Sequence, residues 1–244
     1  MSWLTNRVAD RLSQQSRNLI LDAMPGESQA RLASRLERID LPLLRVVCEA
    51  GSKVDHIYFP RSGVLSLLSL AETGEAVETS TIGREGAFGL VVGMHSGESS
   101  ARCVVQYAGT ADRISALDFK KEFDRSPQVR LVVMYYIEAV LTQYQQSVLC
   151  STLHPMEDRL ARWLLTMCDR ADSSSLLLTQ EFLAEILGVA RTTVTSAARA
   201  LQTANLITYR RGRMSIRDRV GLERAACECY RVVRAQFDRL LPRG

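Results

Sequence analysis

The sequence predicts an α+β chain in which a β-rich N-terminal part and a helical C-terminal part are joined by one long helix. Three observations carry this. From Leu41 to about Ser115 the chain breaks into short β-forming runs bounded by Gly, Pro or Ser at intervals of roughly ten residues. Residues 128–152 then continue without Gly or Pro. Finally, residues 178–214 read as a short amphipathic helix, a glycine break, a second helix and a basic hairpin, the pattern of a winged helix-turn-helix. With 244 residues and 46% hydrophobic content, the chain can bury real cores. No run approaches the roughly 18 apolar residues of a membrane span, and the opening MSWLTNRVADRL lacks a secretory apolar core, so a cytoplasmic protein without membrane contact is expected.

Taken in order, residues 1–40 read as helical, with Leu12, Leu19, Ile20, Leu32, Leu36 and Ile39 as the apolar positions. A turn at Pro25 and Gly26 interrupts them, and Ser28 is placed to cap the second piece. The runs LPLLRVVCEAG, HIYFPRSGVLSLLSL, AVETSTIG and SSARCVVQYAGTADRIS suggest an antiparallel sandwich or roll. Between them, GREGAFGLVVG has no following GK[ST] and opens no βαβ unit, so tight turns are favoured over a phosphate loop. A short helix is expected near Phe119 to Phe123, with Pro127 at the first turn of the next.

That next helix, Gln128 to about Thr152, would be a rod of roughly 37 Å at 1.5 Å per residue. Val133, Ile137, Val140, Leu141, Tyr144 and Val148 form its apolar stripe, widened by Leu131 and Met134, and are the expected dimer interface. Glu138 and Gln145 interrupt any strict heptad seam. His154 and Pro155 end the rod, because proline disfavours helical geometry in the residue before it. The division that follows is 1–126, 127–153 and 154–244. Past the hinge, MEDRLARWLLTMCDRA predicts a helix with Leu160, Trp163, Leu164 and Met167 facing inward, followed by a loop from Asp169 to Ser175.

In the helix-turn-helix stretch, Thr179 is the expected cap, and Phe182, Leu183, Ile186 and Leu187 the buried face. Gly188 supplies the left-handed turn and Val189 packs into the angle. Val194, Ala197, Ala198 and Leu201 share the inner face of the second helix, leaving Arg191, Thr192, Thr195, Ser196 and Arg199 outside. That outer face is basic, short-chained and free of acid. Arg suits guanine edges or phosphates, and Thr suits phosphates or thymine methyls. Together with Thr179, Gln180 and the hairpin residues Arg210, Arg211 and Arg213, these are the candidate DNA contacts. The charge distribution agrees: residues 151–244 hold 15 Arg and no Lys against 10 acidic side chains, whereas residues 1–150 hold 16 basic and 17 acidic.

A last helix, Arg219 to Leu240, follows, with Leu222, Ala225, Ala226, Cys229, Val232, Val233 and Phe237 as packing positions. The six cysteines are scattered without a CxxC pair, and Cys227 and Cys229 would fall on different sides of that helix; reduced buried thiols without metal are expected. His56, His95 and His154 do not cluster in sequence, and no catalytic triad or carboxylate pair is visible, so no enzyme is expected.

The run LTQEFLAEILGVARTTVTSAARALQTANLI resembles the winged helix-turn-helix of Crp/Fnr-type bacterial transcription regulators, and VVCEAGSKVDHIYFPRSGVLSLL matches their roll by position. The resemblance implies a cyclic-nucleotide-binding-type β-roll, a long dimerisation helix and a C-terminal winged helix-turn-helix. It implies a homodimer on a two-fold-related double-stranded DNA site, with RNA polymerase as a possible further partner. Arg191 falls where the family has a base-reading arginine, whereas Thr192 and Ser196 depart from its pattern, which implies a different operator. In the roll, Phe88 and Gly89 stand near the place of the family's ribose-binding Gly-Glu pair, and Ser99 and Ser100 near its phosphate-binding Arg-Ser pair. With Arg102 they form the candidate effector pocket. Because the ribose and phosphate pairs are replaced, the effector is expected not to be cyclic AMP, and its identity and any cofactor stay open. The alternative is a sensor whose C-terminal module contacts protein instead of DNA.

Overall fold

The computed structural model describes residues 18–241, so Leu12 and the rest of the first 17 residues lie outside it. Two short helices, α1 (Leu19–Asp22) and α2 (Gly26–Ala33), precede the sheet. The helical expectation up to residue 40 runs too far: strand β1 is Glu37–Leu41 and carries Ile39. Ser28 is also not a cap. Pro25 holds that position, and Ser28 is buried inside α2 beside Arg31, which pairs with Glu122.

Strands β2 (Val46–Cys48), β3 (His56–Leu70), β4 (Ala76–Ile82) and β5 (Arg102–Ser115) complete an antiparallel sheet in the order β1-β5-β3-β4, with β2 also on β5. The long strands β3 and β5 pair from His56 opposite Ser115 to Leu68 opposite Arg102. Register shifts near Pro60, Ser62 and Val64 bend the pair. Its two ends take different partners, β1 and β4, which rolls the sheet around a core of Leu41, Leu65, Ile82, Phe88, Val105 and Ala111. The segment from Gly83 to Gly97 is turns, as its glycines predict, pinned by mutual backbone bonds between Tyr58 and Phe88 (3.0 and 2.9 Å).

Helix α3 (Ala116–Arg125) is capped by Ser115, and the long helix α4 (Pro127–Leu153) by Ser126 with Pro127 in its first turn. One side of α4 closes the roll: Val129, Val132, Val133, Tyr136 and Ala139 are buried there with Ile57, Phe59, Leu90 and Phe119. One residue of the expected dimer stripe is thereby corrected. Val133 is spent on its own core, and Ile137 and Val140 are half-buried against it. The exposed apolar residues of α4 include Leu131, Met134, Tyr135, Leu141, Val148 and Leu153, with Met134, Leu141 and Val148 at seven-residue spacing and Tyr144 half-buried.

Beyond the extended His154 and Pro155, α5 is Met156–Ala171 with Leu160, Trp163, Leu164 and Met167 buried as predicted. Strand β6 (Ser175–Leu177), helices α6 (Gln180–Leu187) and α7 (Arg191–Thr203), and strands β7 (Ile207–Arg210) and β8 (Arg213–Ile216) follow, the strands forming a sheet in the order β6-β8-β7. The predicted single final helix is two, α8 (Arg219–Ala225) and α9 (Cys229–Leu240), separated by an extended Ala226. No Gly or Pro causes the break. Burial of Cys227 and Cys229 against Cys150 at the end of α4 overrides local helix propensity. Helix α9 then lies along α4, where Phe237 and Leu241 join the roll's core and Gln236 and Arg239 both donate to Glu138 (2.9 and 3.0 Å). No helix among the described residues is long and apolar enough to cross a membrane.

Candidate nucleic-acid interface

The interface is built from α6, α7 and the β7–β8 hairpin. Thr179, in extended conformation, accepts the Phe182 N–H at 3.1 Å and so starts α6. Gly188 ends the helix at φ 63°, the left-handed geometry that a side chain would strain. The guanidinium of Arg159 donates to the Leu187 carbonyl at 2.8 Å, satisfying one of the acceptors orphaned at that helix end. Across the turn, Val194, Ala197, Ala198 and Leu201 are buried against α5 and α6, and the alanines allow that close approach.

The rest of α7 therefore faces outward. Arg191, Thr192, Ser196 and Arg199 are exposed, and Thr195 is half-buried. The Thr195 hydroxyl lies 2.9 Å from both Gln180 Oε1 and the Arg191 carbonyl, which fixes the start of α6 against α7. No side chain caps α7, and its first turn holds no acid, so the partial positive charge of the helix end is left for an anion. In the hairpin, Arg211 and Gly212 both have positive φ (50° and 73°), a two-residue turn that holds Arg210 opposite Arg213. All three arginines are exposed. The hairpin is tied to the head of α6 by Leu178 N–H to the Gly212 carbonyl (2.7 Å) and Tyr209 hydroxyl to the Leu178 carbonyl (3.0 Å).

Thr179, Gln180, Arg191, Arg199, Tyr209 and Arg211 thus line one open groove, with Thr192, Ser196, Arg210 and Arg213 exposed on the same elements. Three features were not read from the sequence. Arg191 is paired with Glu181 at 2.6 Å, Tyr209 anchors the hairpin, and Thr193 is exposed beside Thr192. Glu181 was visible only as a first-turn acid, and its reach across to α7 is a tertiary fact.

The interface is attached to the roll by part-buried and buried polar contacts. Glu78 on β4 accepts from Trp163 Nε1 on α5 (2.7 Å), Ser66 (2.6 Å) and Gln106 (2.8 Å), and burial pushes its carboxyl up from the ordinary range despite those donors. Arg170, also on α5, is buried. It pairs with Glu85 at 2.7 Å, donates to the Thr81 carbonyl (2.6 Å) and Gln143 Oε1 (3.0 Å), and contacts the Thr81 hydroxyl.

The effector set does not converge on a ligand space. Phe88 is buried in the roll's core, and the Ser99 hydroxyl donates to the Ala101 carbonyl at 2.7 Å. A Cβ on Gly89 would come within 2.7 Å of the His56 carbonyl. Ser100 is exposed, and Arg102 is paired with Glu49 at 2.9 Å. By contrast, the structure brings together four residues for which no shared site was expected: Cys150, His154, Cys227 and Cys229. The sequence reading had placed the last two on opposite sides of one helix, and the break at Ala226 removes that separation. All six cysteines are free and buried.

Residues 158–225 match the Crp-like helix-turn-helix domain. No curated protein matches the chain in sequence. Among solved structures, FixK2 from Bradyrhizobium japonicum is similar over 79% of this chain and 98% of its own at 17% identity, TM-score 0.67. The c-di-GMP-responsive global regulator CLP of Xanthomonas campestris is similar over 80% and 100%, at 15% identity and TM-score 0.65. TTHA1359, a Crp/Fnr-family transcriptional regulator from Thermus thermophilus, is similar over 78% and 98%, at 18% identity and TM-score 0.64. At these identities the likeness is one of fold.

Proposed function

We propose, for a chain that carries a Crp-like helix-turn-helix domain on the fold of the Crp/Fnr regulators, that it is a homodimeric, sequence-specific DNA-binding transcription regulator. The observation that carries the reading is the outer face of α7, where Arg191, Thr192, Ser196 and Arg199 are exposed and where Arg191 and Arg199 share one groove with Arg211 of the hairpin. A helix of that shape enters a major groove, and the hairpin meets the neighbouring backbone.

The division into a sensor part (1–126), a dimerisation helix (127–153) and a DNA-binding part (154–244) accompanies this proposal. The dimer seam would run through Leu131, Met134, Leu141 and Val148, which are among the apolar residues that α4 leaves exposed. Two such helices side by side would present two α7 helices to successive major grooves, which lie about 34–36 Å apart. Cyclic AMP and cyclic GMP do not suit the roll, because near the expected phosphate place Ser99 is buried and bonded to the Ala101 carbonyl and Arg102 is paired with Glu49.

The test is selection of bound duplexes from random DNA by the wild type and by Arg191→Ala. The expected result is an inverted-repeat consensus that the variant binds poorly. A protein that enriches no sequence would overturn the reading and favour a C-terminal module that contacts protein.

A further inference from the structure

The end of the long helix, the hinge and the break before the last helix meet at one point. Cys150 lies in the last turn of α4, His154 is its C-cap, Cys227 stands in the link between α8 and α9, and Cys229 is the first residue of α9. The four side chains each offer one ligand atom, and these atoms all lie within 4.8 Å of one another. Cys150 Sγ and Cys227 Sγ are 3.5 Å apart, and Cys229 Sγ is 3.6 Å from His154 Nδ1.

Those separations have a chemical meaning. With bonds of about 2.3 Å to sulfur and about 2.0–2.1 Å to nitrogen, a tetrahedral zinc site has S···S edges of about 3.8 Å and S···N edges of about 3.5 Å. The other ring nitrogen, His154 Nε2, faces Glu228 Oε1 at 3.3 Å. That is the outer carboxylate which orients a metal-bound imidazole and leaves the inner nitrogen free to coordinate. All three thiols are buried, so a captured ion would be shielded from water.

We propose that Cys150, His154, Cys227 and Cys229 form a Cys3His site for a thiophilic divalent cation of the zinc class. Four protein ligands close the tetrahedron and leave no open position, so the site is structural and not catalytic. It fastens the α8–α9 link to the end of α4, beside His154 and Pro155 where the chain turns into α5. The assignment is independent of DNA binding, because its readouts are metal content and ligand spectrum.

The experiment uses the full chain, purified anaerobically under reductant, stripped with a chelator, then equilibrated with zinc or with cobalt(II) and desalted. The expected result is about one zinc per chain, and a cobalt form with thiolate charge transfer and the intense visible bands of tetrahedral coordination. The Cys227→Ser/Cys229→Ser variant should retain at least about tenfold less metal, while Cys48→Ser and Cys168→Ser retain it. Should the double variant fail to fold, zinc protection of the wild-type thiols decides: Cys150, Cys227 and Cys229 should become resistant to alkylation under denaturant-free conditions, and Cys48 should not. A wild type that retains no zinc, a weak octahedral cobalt spectrum, undiminished metal in a folded double variant, or a Cys150–Cys227 disulfide in the reduced protein would each overturn the assignment.

Discussion

Arg191 and Glu181 meet at 2.6 Å with both side chains more than half exposed, so the pair is open to competition. Exposed ion pairs contribute about 0.2–1 kcal/mol, whereas a bidentate arginine on a guanine is worth about 1–3 kcal/mol of discrimination. A guanine would win that competition, and Arg191 would leave Glu181 at small cost. Arg191→Ala should therefore weaken binding to the selected duplex by about 1–3 kcal/mol and leave binding to scrambled DNA nearly unchanged. Fluorescence anisotropy on the two duplexes measures the difference, and an equal loss on both would reassign Arg191 to a phosphate. Glu78 makes a second prediction at this scale. Its folded-state pKa is raised by burial, so the folded protein holds this proton more tightly than the unfolded chain. Stability from this group is present below the ordinary glutamate range and lost as pH rises through the raised value. Urea midpoints should accordingly fall across that window in the wild type, and Glu78→Gln should remove this part of the slope.

At the scale of elements, α4 serves three neighbours at once: the roll on one side, α9 on another, and the exposed seam on a third. A charge at the centre of that seam should separate a dimer without touching the fold. Leu141→Glu is expected to sediment as a monomer at concentrations where the wild type is a dimer, with unchanged far-UV circular dichroism; a wild-type monomer would refute the seam. Arg170 is the buried link between α5, β4 and α4. Arg170→Ala would leave Glu85 without its partner and should cost about 3–5 kcal/mol, read from chemical denaturation.

The same elements show what the sequence could and could not disclose. Pro127, Thr179, Gly188 and Pro155 were legible, because they act within a few residues of themselves. The inner faces of α5 and α7 were legible from their period. Val133 was grouped with the exposed stripe because α4 is apolar almost all round, and periodicity alone cannot say which stripe its own roll takes. The break at Ala226 left no trace, since its cause is the packing of two thiols against a cysteine at the end of α4. The candidate DNA contacts could be named because a short motif carries them, whereas Glu181 reaches Arg191 only after folding.

For the whole molecule, the roll, α4 and the winged helix-turn-helix are joined through Glu78, Arg170 and α9, so a change in the roll has a mechanical route to α7. The positive excess of the C-terminal part makes the sharpest demand on the account. If α7 and the hairpin neutralise phosphates, each contact releases counterions, and the logarithm of the binding constant must fall linearly with the logarithm of salt at about −0.9 per phosphate neutralised. Titrating salt against binding to the selected inverted-repeat duplex tests this most directly. The account predicts a steep linear loss, shallower by about one unit for each Arg211 replaced by Ala, and so by about two for the dimer. No binding at low salt, or affinity that does not change with salt, would contradict it.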